Sequence, residues 1–197
     1  LEYGGELVKL VKRKKLKSRT KMVILCDVSG SMDSYSSYLI ELLYHFKNYL
    51  HNTEVFIFST SLLRISDELS YGDLYYVAKI ISERVKIWGS GTKIGHCLDI
   101  FIREYGELID KYTLLIIISD GWDMGDIDLL EKNLKWLKDR VKEIIWLNPL
   151  LDIPNYKPLT LGMKAALPFI GIFCSPSIFK DSKIYEKYLG KAIRLAS

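Results

Sequence analysis

Three features of the sequence predict a doubly wound α/β fold, with a mostly parallel six-stranded sheet, one antiparallel edge strand and helices on both faces. Short apolar runs alternate with longer stretches of helical periodicity, the pattern of a sheet covered on both sides. The run TLLIIIS, residues 113–119, is apolar enough to be a central parallel strand. Residues 22–26 run straight into Asp27, the first of a group of oxygen-bearing side chains, and open α/β sheets keep their ligands just past the carboxyl ends of their strands.

In chain order, residues 22–26 read as a strand buried on both faces. Tyr35, Leu39, Leu42, Leu43, Phe46 and Leu50 fall at helical spacing and predict one long helix over residues 32–51. Its start follows the loop after Asp27, where a helix dipole also favours an anion. His45 and His51 lie on it without a partner at ligand spacing, which leaves them surface or packing roles. Residues 55–59 and 62–66 are short strands parted only by Thr60 and Ser61, and so tight a connection requires antiparallel pairing. Ser70-x-x-Asp73 reads as a capping box for a helix to about Lys86, with Leu74, Val77, Ala78, Ile81 and Val85 as its buried face. Ile94, Cys97, Leu98, Phe101, Ile102 and Tyr105 mark the next amphipathic helix.

Beyond the central strand, Asp126 is placed to cap a helix over residues 127–140. Residues 143–147 form a fifth strand stopped by Asn148-Pro149, and a Pro-bearing loop leads to a short helix at about residues 160–167. A sixth strand is expected at residues 169–173. A closing helix over residues 177–195 has Ile184, Tyr188, Ala192 and Leu195 on one side.

A chain of 197 residues with 49% hydrophobic and 26% charged residues suits one domain with a sizeable core. No apolar run approaches the ~20 residues of a membrane span, and no signal-type hydrophobic region follows the basic start. Cys26, Cys97 and Cys174 are odd in number, scattered and set in apolar surroundings, which points to core thiols in a reducing cytoplasm rather than to disulfides or a zinc cluster. The chain begins with Leu1 rather than Met, as a fragment would. Its basic character is local. Residues 1–21 hold eight Lys and Arg against Glu2 and Glu6, a net +6, so the other residues carry −2 of the total +4. The organisation expected is a basic arm, residues 1–21, before a domain over residues 22–197. The basic run, residues 9–21, has no aromatics to stack on bases and no recognised reader motif, so a solvated or docking arm is favoured over nucleic-acid binding.

The chemistry concentrates in three stretches. Asp27-x-Ser29-x-Ser31, with Gly30 inside it, offers a carboxylate and two hydroxyls. These are hard oxygen donors, which select Mg²⁺, Ca²⁺ or Mn²⁺ over softer metals. One loop cannot fill an octahedral shell, and Gly89-Ser90-Gly91-Thr92 and Ser119-Asp120-Gly121 offer further oxygens. The first of these matches neither GxxxxGK[ST] nor GxGxxG and follows a predicted helix rather than a strand, which disfavours nucleotide binding. Lys93 is read as a solvated loop charge and His96 as a capping or surface residue. Trp122 suits either a partner anchor or packing over the loop.

Asp27, Ser29 and Ser31, then Thr92 in a Gly-rich loop, then Asp120 after a very apolar strand resemble the metal-ion-dependent adhesion site of von Willebrand factor A domains. The phrases DVSGSM, VFIFSTSLLRIS, GSGTKIG, IIISDGWDMGD, IIWLNP and GMKAALPFI resemble the CoxE-like branch, and the similarity covers roughly residues 21–195. The resemblance implies a Rossmann-like von Willebrand A fold in which the strands ending at Asp27 and Asp120 lie side by side. It implies that Asp27, Ser29, Ser31, Thr92 and Asp120 hold Mg²⁺, with Mn²⁺ or Ca²⁺ as alternatives, and leave one position open for a partner's acidic side chain. Asp123 is then an outer acceptor rather than a ligand. The implied activity is interaction, not catalysis, with a MoxR-type AAA+ ATPase as partner and a client metalloenzyme such as carbon monoxide dehydrogenase. CoxE-like proteins usually carry a further amino-terminal region. A Mg²⁺-dependent phosphohydrolase of the haloacid dehalogenase type is the alternative, but it needs a second acid where Ser29 stands. A serine hydrolase lacks both a GxSxG elbow and a placed histidine.

Overall fold

Side chains alternate along a strand, and here the alternation divides the core into two layers. The computed structural model describes residues 20–49, 52–71, 74–88 and 91–180. In β1 (Lys21–Asp27), Val23 and Leu25 enter one layer while Met22, Ile24 and Cys26 enter the other. β2 (Thr53–Phe58) repeats the division with Phe56 and Phe58 opposite Val55 and Ile57. β3 (Leu62–Arg64) is a short antiparallel edge against β2. β4 (Thr113–Ile118) is buried at every residue, as both-face coverage requires, and β5 (Glu143–Leu147) and β6 (Ile172–Cys174) complete the sheet in parallel. The order is β3-β2-β1-β4-β5-β6, so the chain winds outward from β1, returns, and winds outward again from β4.

Helices α1 (Ser36–Tyr49), α2 (Ser66–Tyr71) and α3 (Leu74–Trp88) cover the Ile24 face through Leu39, Leu43, Phe46, Leu69, Val77 and Ile81. Helices α4 (Ile94–Tyr105), α5 (Ile127–Lys138) and α6 (Leu161–Ala166) cover the Leu25 face. α4 and α5 approach closely because Gly95 has no side chain: a Cβ there would stand 2.8 Å from the Leu130 nitrogen. Asn133 adds a hydrogen bond to the Gly95 carbonyl at 2.9 Å. Asp126 caps α5, accepting from the N–H groups of Asp128 and Leu129. Among the described residues no helix is long and apolar enough to cross a membrane.

The structure corrects several element boundaries. The helix expected over residues 32–51 begins as a 3-10 turn, Gly30–Tyr35, and becomes α-helical only at Ser36; the Met32 N–H bonds to the Ser29 carbonyl at 2.9 Å, and the Ser36 hydroxyl bonds to the Asp33 carbonyl. The edge strand stops at Arg64, and Ser66 starts a helix instead, because its hydroxyl accepts the Val55 N–H and donates to Glu54, while Asp67 and Glu68 suit the dipole of the first turn. Ser70 does not cap: it lies within α2 and its hydroxyl donates to the Ser66 carbonyl four residues back. Leu74 is exposed rather than buried. The sixth strand runs from Ile172 to Cys174, after a 3-10 turn at Leu167–Phe169 in which Pro168 has no N–H to give a ladder. His45 and His96 are exposed. Residues 1–19 of the basic arm, His51, Asp73, Gly89, Ser90 and the closing helix beyond residue 180 lie outside the described residues.

Candidate functional site

The crevice of a doubly wound sheet opens where the winding reverses, between β1 and β4. β1 ends at Asp27, and β4 is followed directly by Ser119 and Asp120. Both carboxylates are buried at this carboxyl rim. Asp27 is held from two sides: its Oδ1 accepts the Ser29 N–H at 2.9 Å, and its Oδ2 accepts the Ser119 hydroxyl at 2.7 Å. The tight turn that follows keeps the Ser29 and Ser31 hydroxyls 3.2 Å apart.

Asp120 is fixed by its own turn. Its Oδ1 accepts the Trp122 N–H at 2.9 Å, its carbonyl receives the buried Asn148 side chain, and Gly121 takes φ +76° to redirect the chain. Thr92 is buried between two neighbours of the rim. On one side the Ser59 hydroxyl bonds to the Gly91 carbonyl and the Lys93 N–H bonds to the Ser59 carbonyl, tying the loop to the end of β2. On the other the Met124 N–H bonds to the Thr92 carbonyl at 2.8 Å. Asp123 completes that second tie, since its Oδ1 accepts both the Ile94 N–H and the Gly125 N–H. Its Oδ2 is buried and accepts no hydrogen bond among the described residues.

Burial dominates the electrostatics. The Asp27 carboxyl is pushed up to about 6, chiefly because water is excluded, with the charge of Asp120 adding to the rise against the hydrogen bonds from Ser29 and Ser119. Burial raises Asp123 as well. The same cause holds the Cys26 and Cys97 thiols protonated, as core residues. Among the described residues no lysine or arginine forms an ion pair with Asp27 or Asp120. Two buried carboxylates without a cationic partner are costly by themselves. A small divalent ion would balance them, and the hydroxyls beside them are donors of the right hardness. No group of three or more His, Cys, Asp or Glu side chains among the described residues could hold a metal, so a bound ion here depends on the hydroxyls.

Sequence reasoning singled out Asp27, Ser29, Ser31, Thr92 and Asp120, and weighed Asp123 as an outer acceptor. It assigned no orienting role to Ser119, Ser59 or Asn148, which hold the groups named in place. A signal existed for the first two, since each is a serine at the end of an apolar run, as Asp27 is. Trp122 and Met124, on the Asp120 loop, are exposed.

Comparison with solved structures finds the same fold elsewhere. The conserved hypothetical protein BatB from Bacteroides thetaiotaomicron superimposes with a TM-score of 0.53 at 15% identity, over 89% of this chain and 99% of that one. An aerotolerance-related membrane protein from Bacteroides fragilis, carrying multiple mutations to serine, gives 0.52 at 16% identity, over 90% and 98%. The pilus adhesin SpaC from Lactobacillus rhamnosus GG gives 0.51 at 13% identity over 90% of this chain, which spans 30% of the adhesin. Likeness at these identities concerns the fold alone. No curated protein sequence matches. The family model described as VWA domain containing CoxE-like protein matches residues 1–177, and the chain belongs to that family of von Willebrand A domains.

Proposed function

We propose that the chain is a divalent-metal-dependent protein-interaction module rather than an enzyme. In this reading Asp27, Ser29, Ser31, Thr92 and Asp120 hold Mg²⁺, with Mn²⁺ or Ca²⁺ as substitutes. The observation that carries it is the pair of buried carboxylates, without a lysine or arginine partner among the described residues, beside a hydroxyl pair 3.2 Å apart, at the point where the sheet reverses its winding. Bound there, the ion supplies balancing charge and an open coordination position for an acidic side chain of a partner. The chain's own residues set the terms of that capture. Two aspartates balance a charge of +2 and three hydroxyls add none, so an arriving carboxylate meets no excess of negative charge. Ser119 and the Ser29 amide fix Asp27, and Asp123 ties the Thr92 loop to the Asp120 loop.

Membership in the CoxE-like family extends the reading to a MoxR-type AAA+ ATPase as partner and a client metalloenzyme in the cytoplasm, whose remodelling or maturation is the task. Residues 22–197 form the interaction domain in this account and residues 1–21 a separate basic arm. A phosphohydrolase of the haloacid dehalogenase type is not favoured, because the position that needs its second acid is Ser29, whose N–H is donated to Asp27.

Pull-downs in Mg²⁺ and in chelator test the proposal: the partner is retained only with the ion, and equal retention in both contradicts it. Asp123→Ala, which cuts the tie between the two loops without removing a proposed ligand, is expected to weaken Mg²⁺ binding by about tenfold in a calorimetric titration.

A further inference from the structure

We propose that the rim around Asp120 is a docking platform for an acidic segment of another protein, one that carries a large apolar side chain next to its acid. The inference rests on the reading of a carboxylate-capturing ion site and adds to it the residues that select the partner. Two abutting segments build the platform. Gly121 turns the chain after Asp120, and beyond the turn Trp122 and Met124 are 64% and 77% exposed. The Thr160 hydroxyl donates to the Gly121 carbonyl at 2.9 Å. Gly162 sits so near that a Cβ would stand 2.6 Å from that carbonyl oxygen and 3.0 Å from the Asp123 Cβ. This stitching lays Leu159 and Leu161, 63% and 69% exposed, beside the Asp120 loop.

Large apolar side chains gathered at one rim mark an interaction surface, and tryptophan is among the residues that dominate interface energies. Charge selects the occupant. Exposed Lys93 follows Thr92, and exposed Lys157 and Lys164 flank Leu159 and Leu161. The exposed Asp126 and Asp128 carboxylates stand at the N-terminus of α5, whose dipole offsets part of their charge. An acidic segment is therefore drawn to this side. Its carboxylate reaches the ion site while the neighbouring apolar side chain falls on Trp122 and Leu161.

The test uses the full chain and two labelled dodecapeptides with one central glutamate, flanked by leucine and phenylalanine in one and by glycine and serine in the other. Fluorescence anisotropy is read in Mg²⁺ and in chelator. The apolar-flanked peptide is expected to bind about tenfold tighter in Mg²⁺, as burial of one large side chain gives. That advantage disappears in the double variant Leu159→Ser, Leu161→Ser, which alters no group bonded to a proposed ligand and whose calorimetric Mg²⁺ affinity stays at the parent's value. Equal binding of the two peptides in Mg²⁺ overturns the platform and leaves the ion site standing. Binding that chelator does not weaken, or no binding of either peptide, overturns the ion-site reading and the platform with it. Self-association of the chain that the double variant abolishes would give this face to a second copy and overturn the acidic-segment proposal.

Discussion

Replacing Asp27 by asparagine is expected to stabilise the cation-free protein at pH 7.5 by on the order of 2 kcal/mol, and to remove the further stabilisation that Mg²⁺ gives the parent. The two effects have one source. Asp27 is fully buried, and its carboxyl sits at about 6 because burial, aided by Asp120, outweighs the hydrogen bonds from Ser29 and Ser119. The folded state thus binds this proton more tightly than the unfolded state does. Stability from the protonated form is present below about pH 4, the unfolded value, and is lost as pH rises to about 6. An asparagine keeps an acceptor for the Ser29 N–H and avoids the buried charge, so its melting temperature falls less across that window than the parent's. With saturating Mg²⁺ the order reverses at pH 7.5. Protons compete with the ion at Asp27, so the parent's Mg²⁺ affinity also drops below about pH 6. Thermal melts of both proteins between pH 4 and pH 8, with and without Mg²⁺, read all of this; a variant that still gains stability from Mg²⁺ contradicts it.

Gly121→Val is expected to cost about 3 kcal/mol or more of folding stability and to reduce Mg²⁺ binding by at least tenfold even where the chain still folds. Two independent penalties meet at this residue. At φ +76° a β-branched side chain is strained by about 1–2 kcal/mol. A Cβ would also collide with the Met163 side chain, which is fully buried beneath the loop. Relief requires the Asp120 turn to shift, and that turn holds the Trp122 N–H and the Thr160 and Asn148 contacts together. Denaturant unfolding gives the first quantity and calorimetry the second. Parent-like values for both would mean that the turn does not position Asp120.

The parts of the fold that were legible in the sequence are those whose causes are local. Residues 143–147 form a short apolar run closed by Asn148-Pro149, and β5 occupies that span. Ile94, Cys97, Leu98 and Phe101 share one helical face, and α4 begins and buries as that spacing requires. Asp126 stands immediately before its helix and caps it. The misread parts depend on contacts distant in sequence. Ser66 starts α2 because of Val55, eleven residues earlier, so no local signal separated it from the strand before it. Gly95 is required by α5, which a reading of α4 alone does not contain.

The same division holds at the rim. The Asp27-x-Ser29-x-Ser31 spacing and the carboxylate after the central strand were visible as residue types, and the structure sets Asp27 and Asp120 at the ends of neighbouring parallel strands. Which side chain would support which carboxylate was not visible. Ser119 reaches Asp27 across 92 residues of chain, and Asn148 reaches the Asp120 carbonyl from the loop after β5. Hydrophobic periodicity places strands and helices, but it carries no information about which polar side chain will orient which.

The metal site can be checked with Mn²⁺ diffused into crystals of the protein and located by its anomalous scattering. A single strong peak is expected between the β1 and β4 loops, within roughly 2.5 Å of the Ser29, Ser31 and Thr92 hydroxyl oxygens and close to Asp27 and Asp120. No peak there at saturating Mn²⁺, or a peak bound only by other carboxylates such as Asp123 and Asp126, would contradict it.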